Sequence, residues 1–287
     1  MKKIRWILAV FIVAVLIISL FVIVFEAYGM KVVTKDEYDA FIKKTKAIGY
    51  SDLEIAEIFG DERVVLLMPR VSEKIYAPGY FSPDSNLFKP ESIRRGREIL
   101  REKKEILREA ERTFGIKKEI LVAIFRLETN FGRFVGKNLV FNSLYRVFVF
   151  KERKWGEDEL LKFLLICKTN GYDPLTVVGS SMGAFGLWQF LPSSFIRHAR
   201  DWDGDGKIDL FSFHDALFSA ANYLQCYGSN KKSSVRIETA LHAYNHDWLY
   251  VKAILAYAET LMTGFDDARL KDLKKFKRFI ERKYLFW

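Results

Sequence analysis

Two cysteines, six prolines and four histidines among 287 residues leave several chemistries without their parts. Cys167 and Cys226 fall on different predicted helices, and the sequence is compatible with a disulfide between them or with two separate thiols. No cysteine stands near the amino-terminal apolar run, which excludes a lipid attached there. The i, i+4 pair His242 and His246 encloses Ala-Tyr-Asn, not the Glu-containing H-E-x-x-H of a zinc protease. The G-x-G-x-x-G spacing of a dinucleotide loop is absent. Runs that alternate with period two are scarce, and neither internal repeats nor low-complexity linkers occur. The chain therefore reads as mostly α, with nothing that resembles a nucleic-acid module.

What is present starts at the amino terminus. Lys2, Lys3 and Arg5 precede a run from Trp6 to Phe25 that is apolar except for Ser19. A helix crosses a bilayer with about 20 such residues, whereas a cleaved signal has a shorter apolar core and a small-x-small cleavage site. Glu26-Ala27-Tyr28-Gly29 is a poor cleavage site, so the run reads as one uncleaved transmembrane signal-anchor with the remainder outside the cytoplasm. Cleavage would change the anchoring and not the compartment. The reading divides the chain into 1–30 (cytoplasmic tip and anchor), 31–90 (helical segment and connector), 91–265 (main domain) and 266–287 (basic amphipathic helix). The net charge of +10 lies on helices with Glu interleaved, which is a solvated face that also attracts anionic partners. The tail from Arg269 to Trp287 fits an interfacial helix on a membrane or a helix docked on the domain.

Beyond Lys31 the periodicity is helical. Thr34 with Glu37, and Ser51 with Glu54, form capping boxes, and Gly49 and Gly60 close the short helices that follow. Tyr76 to Pro90 holds three of the prolines and reads as an extended connector. Ser92 to Phe114 is expected to be one long helix. Phe141 to Phe150 fits a buried helix or a strand, and Glu157 to Asn170 a helix. Val177 to Pro192 is a glycine-interrupted loop, leading to a helix capped by Ser193. Helices are expected near 215–227, 235–246, 249–262 and 266–284.

Chemistry concentrates in three stretches. In Ile116–Arg133, Ile120, Ile124 and Leu127 mark an apolar helix face stopped by Gly132, which puts Glu128 in the last turn. A carboxyl half-buried there beside Phe131 is pushed towards its protonated form, as a general acid requires. Asp201, Asp203, Asp205, Gly206, Lys207 (through its carbonyl) and Asp209 occupy positions 1, 3, 5, 6, 7 and 9 of an EF-hand-like calcium loop. Ser212 replaces the Glu of position 12, and Asp215 stands near enough to substitute. Gly179-Ser-Ser-Met-Gly183 spells the G-x-S-x-G of α/β-hydrolases, but the parallel strands that fold needs have no counterpart in the helical run from 91 to 170. Aromatics including Trp188, Trp202 and Trp248 crowd the same region, where they suit a core or a sugar-stacking surface.

Glu128-Thr-Asn-Phe-Gly-Arg133, Ser180-Ser-Met-Gly-Ala-Phe-Gly with Gln189-Phe-Leu-Pro-Ser-Ser194, Asp203-Gly-Asp-Gly, Ala221-Asn-Tyr-Leu224 and Ala243-Tyr-Asn245 occur in this order. Together they resemble the lytic murein transglycosylase B family over about 41–260. The resemblance implies a lysozyme-like helical domain with a calcium loop that cleaves peptidoglycan glycan strands. Glu128 would be its sole acid and base, and Ser180, Gln189, Tyr223, Tyr244 and Asn245 would line the sugar groove. It implies attack by the muramoyl 6-hydroxyl with an anhydro product, bound Ca2+ as the only cofactor, and cell-wall synthesis or division proteins as partners. A hydrolysing muramidase and a catalytically silent wall-binding scaffold are the alternatives. Tyr223 and Asn245 are only 22 residues apart where the family carries a longer insertion, and Trp188 replaces a small residue, which would narrow the groove.

Overall fold

The computed structural model describes residues 33–66, 79–82, 85–150, 153–228 and 237–262. The expected anchor at 6–25 and the tail helix at 266–287 lie outside the described residues. Among the described residues, no helix is long and apolar enough to cross a membrane.

The chain packs as two compact units that do not follow chain order. The first gathers α1 (Lys35–Ala47), α2 (Asp52–Gly60), α6 (Val140–Phe150) and α7 (Arg153–Asn170). Thr34 and Ser51 cap α1 and α2 in the expected reciprocal boxes with Glu37 and Glu54. Gly49 turns the chain at φ +102°, a left-handed conformation that favours glycine. The core is aromatic, with Phe41 on Phe148 and Phe59 on Phe141 at ring distances of 5.0 and 5.2 Å. The ambiguous run at 141–150 is thus a helix, long enough to be buried as one.

The second unit holds α3 (Pro90–Glu102), α4 (Lys104–Phe114), α5 (Lys118–Thr129), α8 (Pro192–His198), α9 (Phe213–Gly228), α10 (Ile237–Tyr244) and α11 (Trp248–Met262). Two-residue strands β1 (Asn138–Leu139) and β2 (Val178–Gly179) pair antiparallel, with Asn138 opposite Gly179. No parallel sheet exists among the described residues, so the G-x-S-x-G match is not a nucleophile elbow. The expected single helix from Ser92 to Phe114 is broken at Lys103 (φ −106°, ψ 26°). The break rephases two apolar stripes: α3, with Ile93 and Ile99 buried, packs on α5 and α11, while α4, with Leu107 and Phe114 buried, packs chiefly on α9. Helix α8 opens on Leu191 with Pro192 in its first turn, and Ser193 does not cap it. Proline needs no partner for a missing N–H, so that end is served without a hydroxyl.

Helix α5 is the axis of this unit. It touches α3, α4, α9 and α11, and Leu121, Val122, Ala123 and Ile124 have no exposed surface. A helix enclosed on all sides is apolar all round, which is why its stripe widens beyond one face. It ends earlier than expected. Asn130 takes the left-handed cap at φ 50°, followed by Phe131 at 61° and Gly132 at 78°. The Phe131 N–H returns to the Phe125 carbonyl at 3.1 Å, a Schellman closure. Thr129 ties the turn down: its hydroxyl accepts from the Gly132 N–H and donates to the Leu187 carbonyl at 2.8 Å. The backbone around this turn is pressed close. A Cβ on Gly136 would stand 2.1 Å from the Gly179 carbonyl oxygen.

Candidate active site

Because the turn after Thr129 fixes the end of α5, Glu128 is held at the edge of the core, partly exposed. Its Oε1 accepts a hydrogen bond of 2.6 Å from the hydroxyl of Tyr250, which α11 brings in from its first turn. Desolvation raises the Glu128 pKa to about 7, against the opposing effect of the Tyr250 hydrogen bond, which favours the carboxylate. Among the described residues, no cation offsets the burial. Arg126, two residues earlier, turns away: its Nε donates to the Ser92 hydroxyl at 2.7 Å and its Nη2 to the Asn86 carbonyl at 3.0 Å. Glu128 thus holds its proton well above the ordinary carboxylate range, and Arg126 does not pair with it.

Three phenols surround this acid. Tyr250 is 2% exposed, and burial followed by the Glu128 charge pushes its hydroxyl well up. Tyr80 packs edge-on against it at 5.9 Å, with its pKa raised to about 12 by burial and then by Asp247 and Glu128. Tyr244 also feels the Glu128 charge after burial, and its hydroxyl donates to the Trp188 carbonyl. A second carboxylate, Asp247, thus lies in the neighbourhood. It is already used as the cap of α11, with Oδ1 accepting the Leu249 N–H at 2.8 Å.

Of the expected groove residues, Ser180, Gln189 and Tyr244 brace the loop between β2 and α8, and Tyr223 packs against Tyr244 from α9. Ser180 Oγ accepts the N–H groups of Met182 (3.2 Å) and Ala184 (3.0 Å). Gln189 holds a left-handed backbone at φ 50°, and its Nε2 donates to the Gly186 and Val135 carbonyls. Tyr223 is buried, donates to the Ala243 carbonyl at 2.8 Å and lies 4.9 Å from the Tyr244 ring. Asn245 follows Tyr244 at the end of α10 and is partly exposed. Trp188 does not narrow the groove. It is 1% exposed, stacks on Phe125 at 4.5 Å and donates its indole N–H to the Leu121 carbonyl, so its bulk fills the core under α5. Tyr250 was not visible as a site residue in the sequence. Its only signal was a buried phenol on an apolar helix, which needs a polar partner.

The acidic loop between α8 and α9 folds back on itself. Asp201 accepts the N–H groups of Gly204 and Gly206, and Asp215 those of Trp202 and Asp209. Carboxylate oxygens of Asp201, Asp203 and Asp215 lie within 4.8 Å of one another. The carboxylates of Asp205 and Asp209 face the backbone N–H groups of Lys207 and Phe211 instead. Asp215, expected only as a substitute, is the buried member; burial and then the neighbouring Asp203 and Asp201 raise its pKa. Three hard oxygen donors gathered against their own repulsion fit a divalent cation such as calcium. Both cysteines are free thiols, Cys167 buried and Cys226 exposed.

A helical domain with a desolvated carboxylic acid in the last turn of its central helix, together with an acidic loop further along the chain, fits a lysozyme-like class of glycan-cleaving folds. Within that class, the transglycosylase SLT domain profile matches residues 34–269, and the chain belongs to that family. It is similar to membrane-bound lytic murein transglycosylase B of Escherichia coli (strain K12), 35% identical over 150 residues. That match covers 52% of this chain and 42% of the relative's length. The fold is similar to that of the Escherichia coli lytic transglycosylase SLT35 in complex with bulgecin A, with TM-score 0.70, 21% identity and coverage of 82% of this chain and 94% of that one. SLT35 in complex with calcium aligns at TM-score 0.70 and 22% identity, again over 82% and 94% of the two chains. SltB3 of Pseudomonas aeruginosa in complex with NAG-NAM-pentapeptide aligns at 0.65 and 22%, over 79% of each chain.

Proposed function

We propose that this protein is a peptidoglycan lytic transglycosylase in which Glu128 acts first as acid and then as base. The observation that carries the reading is a desolvated carboxyl at the core edge, held by Tyr250, with a raised pKa and no ion pair among the described residues. Glu128 gives its proton to the glycosidic oxygen between N-acetylmuramic acid and N-acetylglucosamine as the bond to the anomeric carbon breaks. The carboxylate left behind takes the proton of the muramoyl 6-hydroxyl, whose oxygen bonds to the anomeric carbon and closes a 1,6-anhydro ring. Most glycosidases need a second carboxylate for this. Here the attacking oxygen comes from the substrate, and Asp247 stays with its helix cap. Tyr250, bonded to Oε1, fixes the carboxyl and steadies the anion between the two proton transfers.

Ser180, Gln189, Tyr223 and Tyr244 shape the groove by holding its loop, and Asn245 meets the sugar. Asp201, Asp203 and Asp215 would hold a hard divalent cation such as calcium, whose charge would offset the repulsion among them. The name of the Escherichia coli relative and the apolar run Trp6–Phe25 support a chain anchored in the membrane with its domain on the wall side. Turbidity of purified sacculi tests the reading. Wild type clears them, and Glu128→Gln binds in pelleting assays without clearing. Clearing by Glu128→Gln at the wild-type rate would refute the assignment.

A further inference from the structure

The turn between α10 and α11 carries Asn245 of the proposed groove and leads to Tyr250 on Glu128, and it also places a tryptophan in solvent. Trp248 is 57% exposed, whereas Trp188 is 1% exposed. It is not a loose side chain. The imidazole of His242, from α10, lies flat against one face of the indole at 4.4 Å and 26°, and His246 stands edge-on to His242 at 5.5 Å. The indole is therefore backed on one face by an imidazole and exposed over more than half of its surface.

We infer that Trp248 is a stacking platform for a pyranose ring of the glycan strand outside the scissile pair. This rests on the reading of Glu128 as the cleaving acid. A rigid, one-sided indole matches the apolar C–H face of a β-linked sugar, because the negative face of the ring attracts those hydrogens while the sugar hydroxyls stay in water. The occupant is set by continuity. Trp248 follows Asn245 by three residues and precedes Tyr250 by two, so the turn that carries the indole is the one that borders the proposed groove. His242 serves as a positioning residue, holding the plate without touching the sugar.

The test uses the full chain carrying Glu128→Gln, which leaves sugar uncut, titrated with N-acetylglucosamine tetramer while intrinsic fluorescence is read. Trp248→Ala should weaken binding on the order of fivefold, Trp248→Phe by less, and His242→Ala by an intermediate factor, with unchanged melting temperatures. In the active chain, Trp248→Ala should raise KM for sacculi and leave kcat within about twofold, since a remote sugar contributes binding alone. Equal affinity in Trp248→Ala and its parent, or a loss confined to kcat, overturns the inference. If the wild type binds the tetramer through Trp248 yet never cleaves sacculi, the platform stands and the catalytic reading falls.

Discussion

At the scale of single residues the account turns on two oxygens 2.6 Å apart, one on Glu128 and one on Tyr250. Because the folded pKa of Glu128 is raised from 4.5 to about 7, the folded state binds the proton more tightly than the unfolded chain. Its contribution is fully present below pH 4.5 and is lost as pH rises through 7. Glu128→Gln, which mimics the protonated acid, should therefore stabilise the protein at pH 8 by up to about 3 kcal/mol and do nothing at pH 4, as measured by urea unfolding. Tyr250→Phe removes the hydrogen bond that favours the carboxylate. The high-pH limb of the cleavage profile should then move upward, while kcat falls by about tenfold or more. A limb that stays put or moves down would assign Tyr250 no part in tuning the acid. Glu128 was legible from the sequence because helix periodicity and a left-handed stop place a residue by counting. Tyr250 was not, because its partner lies 122 positions away and nothing local distinguishes it from the core residues of α11.

Elements show where local rules held and where packing overrode them. Both capping boxes formed as read, since the partners lie three residues apart and need no tertiary help. The break at Lys103 was invisible because the charged run from 94 to 104 suits a helix throughout; only two different packing partners, α5 and α9, demand two phases. The acidic loop was legible in its spacing, but which of its carboxylates come together was not. Burial of Asp215 brings it to Asp201 and Asp203, while Asp205 and Asp209 turn to the backbone. Millimolar calcium should raise the melting temperature after EDTA treatment by several degrees, roughly the effect of 1–2 kcal/mol. Asp215→Asn should abolish most of that rise. No rise in the wild type would remove the cation from this loop. The close approach of β1 and β2 makes a second prediction. Gly136→Ala, which forces a Cβ onto the Gly179 carbonyl from a φ of +105°, should cost about 3 kcal/mol or more in denaturant titrations. A cost under about 0.5 kcal/mol would contradict the packing described.

For the whole molecule, the second unit sets Glu128 in the last turn of a central helix packed by four others, beside a loop braced by Tyr244 and Gln189. Order of motifs along the chain conveyed this architecture. What it did not convey was that the nominated polar residues are largely consumed in holding backbone, which follows only from where their hydroxyls and amides end. The proposed anchor makes a prediction of its own. The full chain should fractionate with membranes, and the piece starting at Lys31 should be released from them by high salt, because charge alone then remains to hold it. The most direct measurement is mass spectrometry of sacculi digested by the wild type and by Glu128→Gln. The account predicts 1,6-anhydro-muropeptides from the wild type and none from the variant. Reducing-end muropeptides from the wild type would contradict it, since water and not the substrate's own hydroxyl would then have been the attacking group.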